Sequence, residues 1–578
     1  MINVKLFTLW EGSAMTAKEL LGTIARRPFL LAIMALAIAA LNGPDANLTL
    51  FYLHRQDRWL LLAAALLLTL SVWKLPARKR PFAGGWQLAI AVGALMAVAA
   101  YVGHYLLLSG YDLSRDEQMA TFDAGVFAQG RLVAPLPDFW RGDADALNQM
   151  FMYPTSEPKA WISSYLPLNA ALRVLFGWLG DPALTGPAML LVGAIALWGC
   201  ARRIWPDSRE AAVVALVLYA GSGQVLFNAM TAYAMPAHLT LNLCWLWLFL
   251  RRTIWGDAGA LTFAFVAVGL HQPVFHPMFA APILFLLLLE RDWRRAAVYF
   301  LGYAAIGAFW ATWPGFIWSL IEADPMARAT ESVGFLGRLA STLAQGDAMR
   351  VANMVSNLLR FFAWQHLLLL PLLSIGIVIG RRDRLAAALA GGIGLTILVM
   401  LIVLPYQGHG FGYRYLHGVI GNVILLAVFG WMSFDSARAM WRGLLVRATI
   451  MALFIVIPLQ AWMAHAFYTP PARVSDQIAR SNADYALVGA ADAPFAIDLV
   501  VNGPDLDNRP IRLLREALGA DAINAICTSR PAVAIVGAAT LAPITDYFGA
   551  QPVRDDHLDR EVAKTLRSAG CRIVEISD

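Results

Sequence analysis

The sequence predicts an α-helical polytopic membrane protein of about thirteen transmembrane helices carrying a small C-terminal α/β domain. Three observations lead there. Of 578 residues, 59% are hydrophobic and 15% charged, with a mean hydropathy of +0.58; ordinary globular domains hold about 45–50% apolar and about 25% charged residues. The apolar residues fall in runs of about 17–25, the length that crosses about 30 Å of hydrocarbon at about 1.5 Å per residue. Finally, Lys and Arg gather in short clusters between those runs, as membrane topology requires. The net charge of +6 is accounted for by these clusters, so it gives no reason to expect a nucleic-acid partner.

The candidate spans are residues 29–48, 58–75, 87–108, 182–201, 210–229, 233–250, 258–271, 273–289, 297–319, 353–379, 385–405, 417–433 and 446–467. Every second gap is basic, from Lys18, Arg26 and Arg27 through Lys74, Arg78, Lys79 and Arg80 to Arg438 and Arg442. The positive-inside rule puts these clusters in the cytoplasm, with the N-terminus inside and the C-terminus outside. The N-terminal stretch lacks a small-residue cleavage pattern and is expected to be retained. The shortest spans, 258–271 and 273–289, are separated by the breakers Pro273 and Pro277, and Asn42-Gly43-Pro44 interrupts the first.

This orientation sets three long segments on the outer face, about 109–181, 320–352 and 468–578. Three regions follow: 1–86, an N-terminal segment with two additional spans; 87–467, the transmembrane core with external loop 109–181; and 468–578, a soluble extracytoplasmic α/β domain. In the last, short apolar runs at 485–488, 495–501, 532–536 and 572–576 alternate with helical stretches at 512–518 and 556–568. Cys200 and Cys244 fall in spans, whereas Cys527 and Cys571 share the external domain and are expected to form a disulfide. No C-x-x-C or Cys/His zinc spacing is present.

The first long loop carries the strongest candidate chemistry. Ser114 followed by Glu117 is a capping box, and Met119, Phe122 and Val126 share one helical face, predicting an amphipathic helix lying in the membrane interface. Glu117 is thereby accounted for as a cap. Asp116 could be a first-turn acid favoured by the helix dipole, yet it sits at the mouth of a membrane bundle where a catalytic carboxylate is also expected.

Asp116-Glu117 followed by a helix ending in Gln129-Gly130-Arg131 resembles the first external loop of GT-C type glycosyltransferases, in particular family 39 with its protein O-mannosyltransferase and lipid A aminoarabinose transferase group. In the same loop, Ser163-Ser164-Tyr165-Leu166-Pro167-Leu168-Asn169 is similar to that group's K-Y-P-P-G segment, with Leu166 replacing a proline. A third likeness is Gly408-His409-Gly410-Phe411-Gly412-Tyr413-Arg414-Tyr415, which resembles a glycine-rich G-x-R-Y loop before a late span. Together these cover about residues 87–434. The chain departs from the pattern where Asn228, Tyr233 and His238 stand in place of a further acid, and where His271 and His276 replace a basic residue.

The resemblance implies a GT-C-like core that moves sugar from a polyprenyl-phosphate donor to a lipid, glycan or protein acceptor at the outer face of a bacterial inner membrane. Such transfer needs a base for the acceptor hydroxyl and cations for the departing phosphate. Asp116 is the candidate base, with Glu117 the alternative. Arg414 is the candidate phosphate contact, against a guanidinium snorkelling to headgroups; Lys159 and His409 are weaker candidates for the same role. Tyr165, His271 and Tyr413 are expected to contact substrate. No metal ligand set is assigned, because Pro273 and the five-residue spacing of His271 and His276 oppose a shared helix face, and use of a divalent cation stays open. The rival readings are a transporter or lipid flippase, and an O-antigen ligase or polymerase-like enzyme; the concentration of polar residues in one loop favours the transferase.

Overall fold

The computed structural model describes residues 17–44, 47–153, 159–321, 349–434, 438–551 and 556–576. The 320–352 loop of the sequence analysis lies largely outside them. Each expected span falls largely on helix among the described residues. Among the described residues six helices are long and apolar enough to cross a bilayer, Trp86–Leu106, Pro182–Ile204, Trp293–Ile321, Arg384–Val403, Arg414–Met432 and Arg438–Ala479, and Ile254–Val268, Phe275–Leu289 and Leu369–Gly380 are shorter apolar helices. The protein is thus a multi-pass membrane protein with a small C-terminal sheet domain.

Several spans are broken where their sequence says why. Helix Arg209–Ala220 stops at Gly221, and Ser222 caps a new short helix, Gly223–Asn228, through its Oγ and the Val225 N–H at 3.2 Å. The 353–379 run is two helices, Arg350–Ala363 and Leu369–Gly380. Gly376 and Gly430 let the second of these approach helix Ile420–Met432 closely: a Cβ on either would meet the facing backbone, the carbonyl of Leu426 or of Leu372.

The pair Ile254–Val268 and Phe275–Leu289 has consequences for the site. At 15 residues each, these helices reach about 22 Å, short of about 30 Å of hydrocarbon. The carbonyls of residues 269–271, at and just past the end of the first helix, need donors. The 166–169 segment supplies them: Leu166 N–H to the carbonyl of His271 (3.2 Å), Leu168 to Gly269 (2.9 Å) and Asn169 to Leu270 (3.3 Å).

In the C-terminal domain, β3 (Tyr485–Val488), β4 (Ile511–Leu514), β5 (Ala532–Val536) and β6 (Arg572–Val574) form a parallel sheet in the order β4-β3-β5-β6. It follows the two-stranded β1 (Ala134–Pro135) and β2 (Ala160–Trp161) of the 109–181 loop. Helices Ala520–Cys527, Ala538–Phe548 and Asp556–Ser568 make the crossovers. Two expectations are corrected. Residues 512–518 begin as strand β4, because Ile511 and Leu513 alternate inward with period two; and the 495–501 run is a 3₁₀ turn at Ala496–Leu499. Cys527 and Cys571 are joined by a disulfide, their Cα atoms 4.7 Å apart. The last long helix continues through Pro470 and Pro471 to Ala479, beyond residue 468 where the sequence analysis begins the soluble domain.

Candidate functional site

Helix Arg115–Ala128 opens the site, with the expected capping box at its start. The Ser114 N–H donates to Glu117 Oε2 at 3.1 Å, and the Tyr468 hydroxyl donates to Oε1 at 3.3 Å. Glu117 is completely buried by these contacts, and burial raises its pKa, with the Asp112 charge adding to the shift. The helix's apolar stripe is not left open to lipid. Met119, Phe122 and Val126 instead share a core with Leu487, Leu506, Ile511 and Leu513 of the C-terminal domain. A protein surface, not lipid, covers the apolar stripe, because an amphipathic face accepts either apolar partner.

The adjacent face carries Asp116, Ala120 and Asp123, spaced four and three residues apart so that all line one recess with Tyr165, Asn169, Tyr233, His271 and Arg414. Asp116 Oδ2 accepts from Arg414 Nη1 at 3.0 Å, and Oδ1 accepts from the Tyr165 hydroxyl. Burial pushes the Asp116 carboxyl upward, but the Arg414 guanidinium, His271 and the two hydrogen bonds outweigh it and hold the pKa below the usual aspartate value. Asp123 has no cation to offset burial. It accepts from the Ser163 hydroxyl and N–H, and its pKa is pushed up to about 7.

Arg414 is placed from both directions. Its backbone N–H donates to Gln407 Oε1 at 2.6 Å, and its guanidinium lies 4.2 Å above the Tyr233 ring. Gly410, at φ +132°, lets the loop pass over the Arg414 side-chain stem, where any Cβ would overlap it. Tyr233 in turn shares a hydrogen bond with Ser114 Oγ at 2.7 Å, linking the helix cap to the arginine's aromatic floor. The His271 ring packs at 4.1 Å from that of Tyr165, and its Nδ1 is buried without a hydrogen-bond partner among the described residues.

Asp116, Tyr165, His271 and Arg414 thus come together from three separate segments. Other expected residues lie elsewhere. Glu117 points away from the recess as a cap. His409 hydrogen-bonds the Tyr52 hydroxyl at 2.7 Å, because the turn at Gly410 sends it to the other side of the loop. Tyr413 is buried against Tyr415, ring centroids 5.7 Å apart. Lys159 adjoins strand β2, its carbonyl accepting from Leu136 N–H at 2.8 Å, and does not line the recess. His276 is held by Asn242 and Tyr303, 2.7 Å on each side. Sequence reasoning missed Asp123, Asn169 and the part played by Tyr233; the seven-residue spacing of Asp116 and Asp123 on one helix was a usable signal for the first. Among the described residues no group of three or more His, Cys, Asp or Glu side chains is arranged to hold a metal ion.

The chain has a GT-C-like membrane fold, which it shares with a solved structure. A solved structure of similar fold is ArnT from Cupriavidus metallidurans bound to undecaprenyl phosphate, at a TM-score of 0.52 and 15% identity over 73% of this chain and 86% of that one. The apo state of the same protein gives 0.47 and 14% identity over 73% and 85%. At that identity the likeness carries the fold alone, and not membership of family 39. No family model matches the sequence, and no curated protein does.

Proposed function

We propose that this protein is a membrane glycosyltransferase that moves a sugar from a polyprenyl-phosphate donor to a lipid, glycan or protein acceptor at the outer face of a bacterial inner membrane. The observation that carries it is the Asp116–Arg414 pair, 3.0 Å apart, set in a recess at the head of a GT-C-type bundle. The ArnT structure of similar fold was determined with undecaprenyl phosphate bound.

Transfer forms a bond between the acceptor oxygen and the anomeric carbon and breaks the bond from that carbon to the phosphate oxygen. The acceptor proton goes to Asp116, and the leaving polyprenyl phosphate keeps the electron pair. While paired, Asp116 is a weak base, because Arg414 stabilises its charged form. A donor phosphate competes for the same guanidinium, whose fork suits phosphate as well as carboxylate. As Arg414 turns to the phosphate, Asp116 stays buried with one cation fewer, and its basicity rises. Donor binding thereby arms the base. Tyr165 keeps the carboxylate oriented, and His271, with an open Nδ1, is placed to contact the sugar or phosphate.

The test is mass spectrometry of lipids that co-purify with the protein. A sugar-bearing polyprenyl phosphate is expected in the wild type and depleted in Arg414→Ala; equal recovery from both, or recovery of no polyprenyl species from active protein, overturns the reading.

A further inference from the structure

A second recess lies where the C-terminal domain meets the membrane bundle, lined by Tyr111, His409, Phe467, Phe495, Asp498 and Phe548 among others. The external loop, the glycine-rich loop, the last long helix and the soluble domain all contribute to it. Its walls are aromatic: the Phe495 ring centroid is 4.5 Å from that of His409 and 5.4 Å from that of Phe548, and His409 is 5.3 Å from Phe467. Phe495 is held at φ +61°, a region bulky side chains rarely enter, while its side chain stays 39% exposed. Packing alone does not account for an aromatic ring kept strained and open.

Two polar groups face the same space without partners. Asp498 is only 9% exposed, and among the described residues no hydrogen bond reaches its carboxylate; the bond at this residue is Gln118 Nε2 to its backbone oxygen. The Tyr111 hydroxyl is likewise buried and unpartnered. The neighbouring guanidinium groups are committed to other acceptors, Arg115 to the carbonyls of Asn148 and Met150, and Arg512 to Ser475 and the carbonyl of Leu499. A buried acid left unpaired is costly unless something else supplies its donors.

We propose that this recess binds one saccharide ring of the acceptor substrate, a reading that rests on the glycosyl-transfer function above. A sugar presents adjacent hydroxyls, which the Asp498 carboxylate and the Tyr111 hydroxyl can take together. It also presents flat C–H faces, which aromatic rings cover. The usual pattern of a binding site, apolar walls with a few convergent polar groups, is met. A cationic headgroup suits the site less well, because Arg115 acts on Asp498 and Arg512 on Tyr111 as nearby positive charges.

Saturation-transfer NMR on the full-length protein in detergent tests this. The probes are the methyl glycosides of glucose, mannose, galactose and N-acetylglucosamine, with choline as the cationic control. Each is used at about 10 mM, suited to a Kd on the order of 1 mM. Transfer to the ring protons of at least one glycoside is expected. It should fall at least about fivefold in Asp498→Asn and Phe495→Ala, and persist in Phe454→Ala, whose side chain is 75% exposed on the bundle surface. Variants are compared only when the disulfide and melting temperature are retained, with Phe495→Leu in reserve. Absence of transfer in the wild type, equal transfer in wild type and folded recess variants, or choline binding where glycosides do not, overturns the proposal. Binding is read without turnover. A transferase with a silent recess therefore sinks this inference alone, whereas glycoside binding in a protein that transfers nothing sinks the function and leaves the saccharide site.

Discussion

Asp57 and Arg360, 303 residues apart, form a buried ion pair with Nε to Oδ2 at 3.0 Å, each side chain only 1% exposed. The Trp364 indole donates to the other carboxylate oxygen at 2.7 Å, and Arg360 Nη2 donates to the carbonyl of Gly410 at 3.0 Å. The pair therefore reaches from an early helix to the loop that seats Arg414. Asp57→Leu or Arg360→Met alone should cost about 3–5 kcal/mol, because each leaves a buried charge unpaired. The double variant should recover most of that loss in thermal unfolding of the detergent-solubilised protein. Additive losses would show that the two do not act as a pair.

Asp116→Asn should lower glycosyl transfer by about 10²–10⁴-fold, the usual range for loss of a general base. Donor binding should survive, since the amide keeps the shape and can still accept from Arg414. Near-normal turnover would remove Asp116 from the role. Arg414→Ala should weaken both donor affinity and turnover; unchanged affinity would favour a guanidinium that serves only to hold the loop.

The sign of the pH dependence follows from the Asp116 contacts. Its pKa is depressed in the resting site, chiefly because Arg414 and His271 overcome the effect of burial. The carboxylate is thus ionised at and above the ordinary aspartate range, and activity that needs it is lost only as pH falls below that range. If donor phosphate draws Arg414 away, the pKa rises in the complex. The acid limb of kcat should then lie at higher pH than that of kcat/KM, which reports the free enzyme. Coincident limbs would mean that Arg414 keeps its hold on Asp116 throughout.

The Cys527–Cys571 bridge closes a separation of 44 residues, for which chain entropy gives about 4 kcal/mol. Cys527→Ser with Cys571→Ser should lower the melting temperature of the C-terminal domain. Recovery of both cysteines as free thiols, in non-reducing peptide mapping with rapid alkylation, would refute the bond.

Orientation can be read at Arg480, whose side chain is 79% exposed just beyond the last helix. In Arg480→Cys, a membrane-impermeant thiol reagent should label intact spheroplasts, against low background because Cys200 and Cys244 are buried. Labelling only after lysis would put this end, and Asp116 with it, on the inner side.

Hydropathy and charge made the helical passes legible, because span length is set by the bilayer and not by the details of packing. Strands β3 and β5 were legible as isolated short apolar runs. Strand β4 was not: Ile511-Arg512-Leu513-Leu514 reads equally well as the start of a helix, and only pairing with β3 decides it. Asp116 and Arg414 stood out because each falls in a segment that resembles a GT-C loop motif, Asp116-Glu117 and Gly408 to Tyr415. Tyr233 did not, since its contribution is an aromatic face beneath a guanidinium from a segment far along the chain. Nor could the sequence say that Met119, Phe122 and Val126 meet protein; apolar periodicity names a buried face but not what buries it.

That covered face ties the chemistry to the domain at the far end of the chain. The two turns that present Asp116 and Asp123 on one face are backed, on the next, by a core that Trp161, Leu147 and Met152 share with Leu487, Leu506, Ile511 and Leu513 of the C-terminal domain, and Gln118 of the same helix donates to the Asp498 carbonyl. The C-terminal domain is therefore no detachable appendage: cutting it away unbacks the helix that holds the acids, and exchanging it for a foreign domain demands a matching apolar imprint. Attempts to retarget such a protein by domain grafting would have to carry residues 115–128 with the graft, Asp116 and Asp123 included.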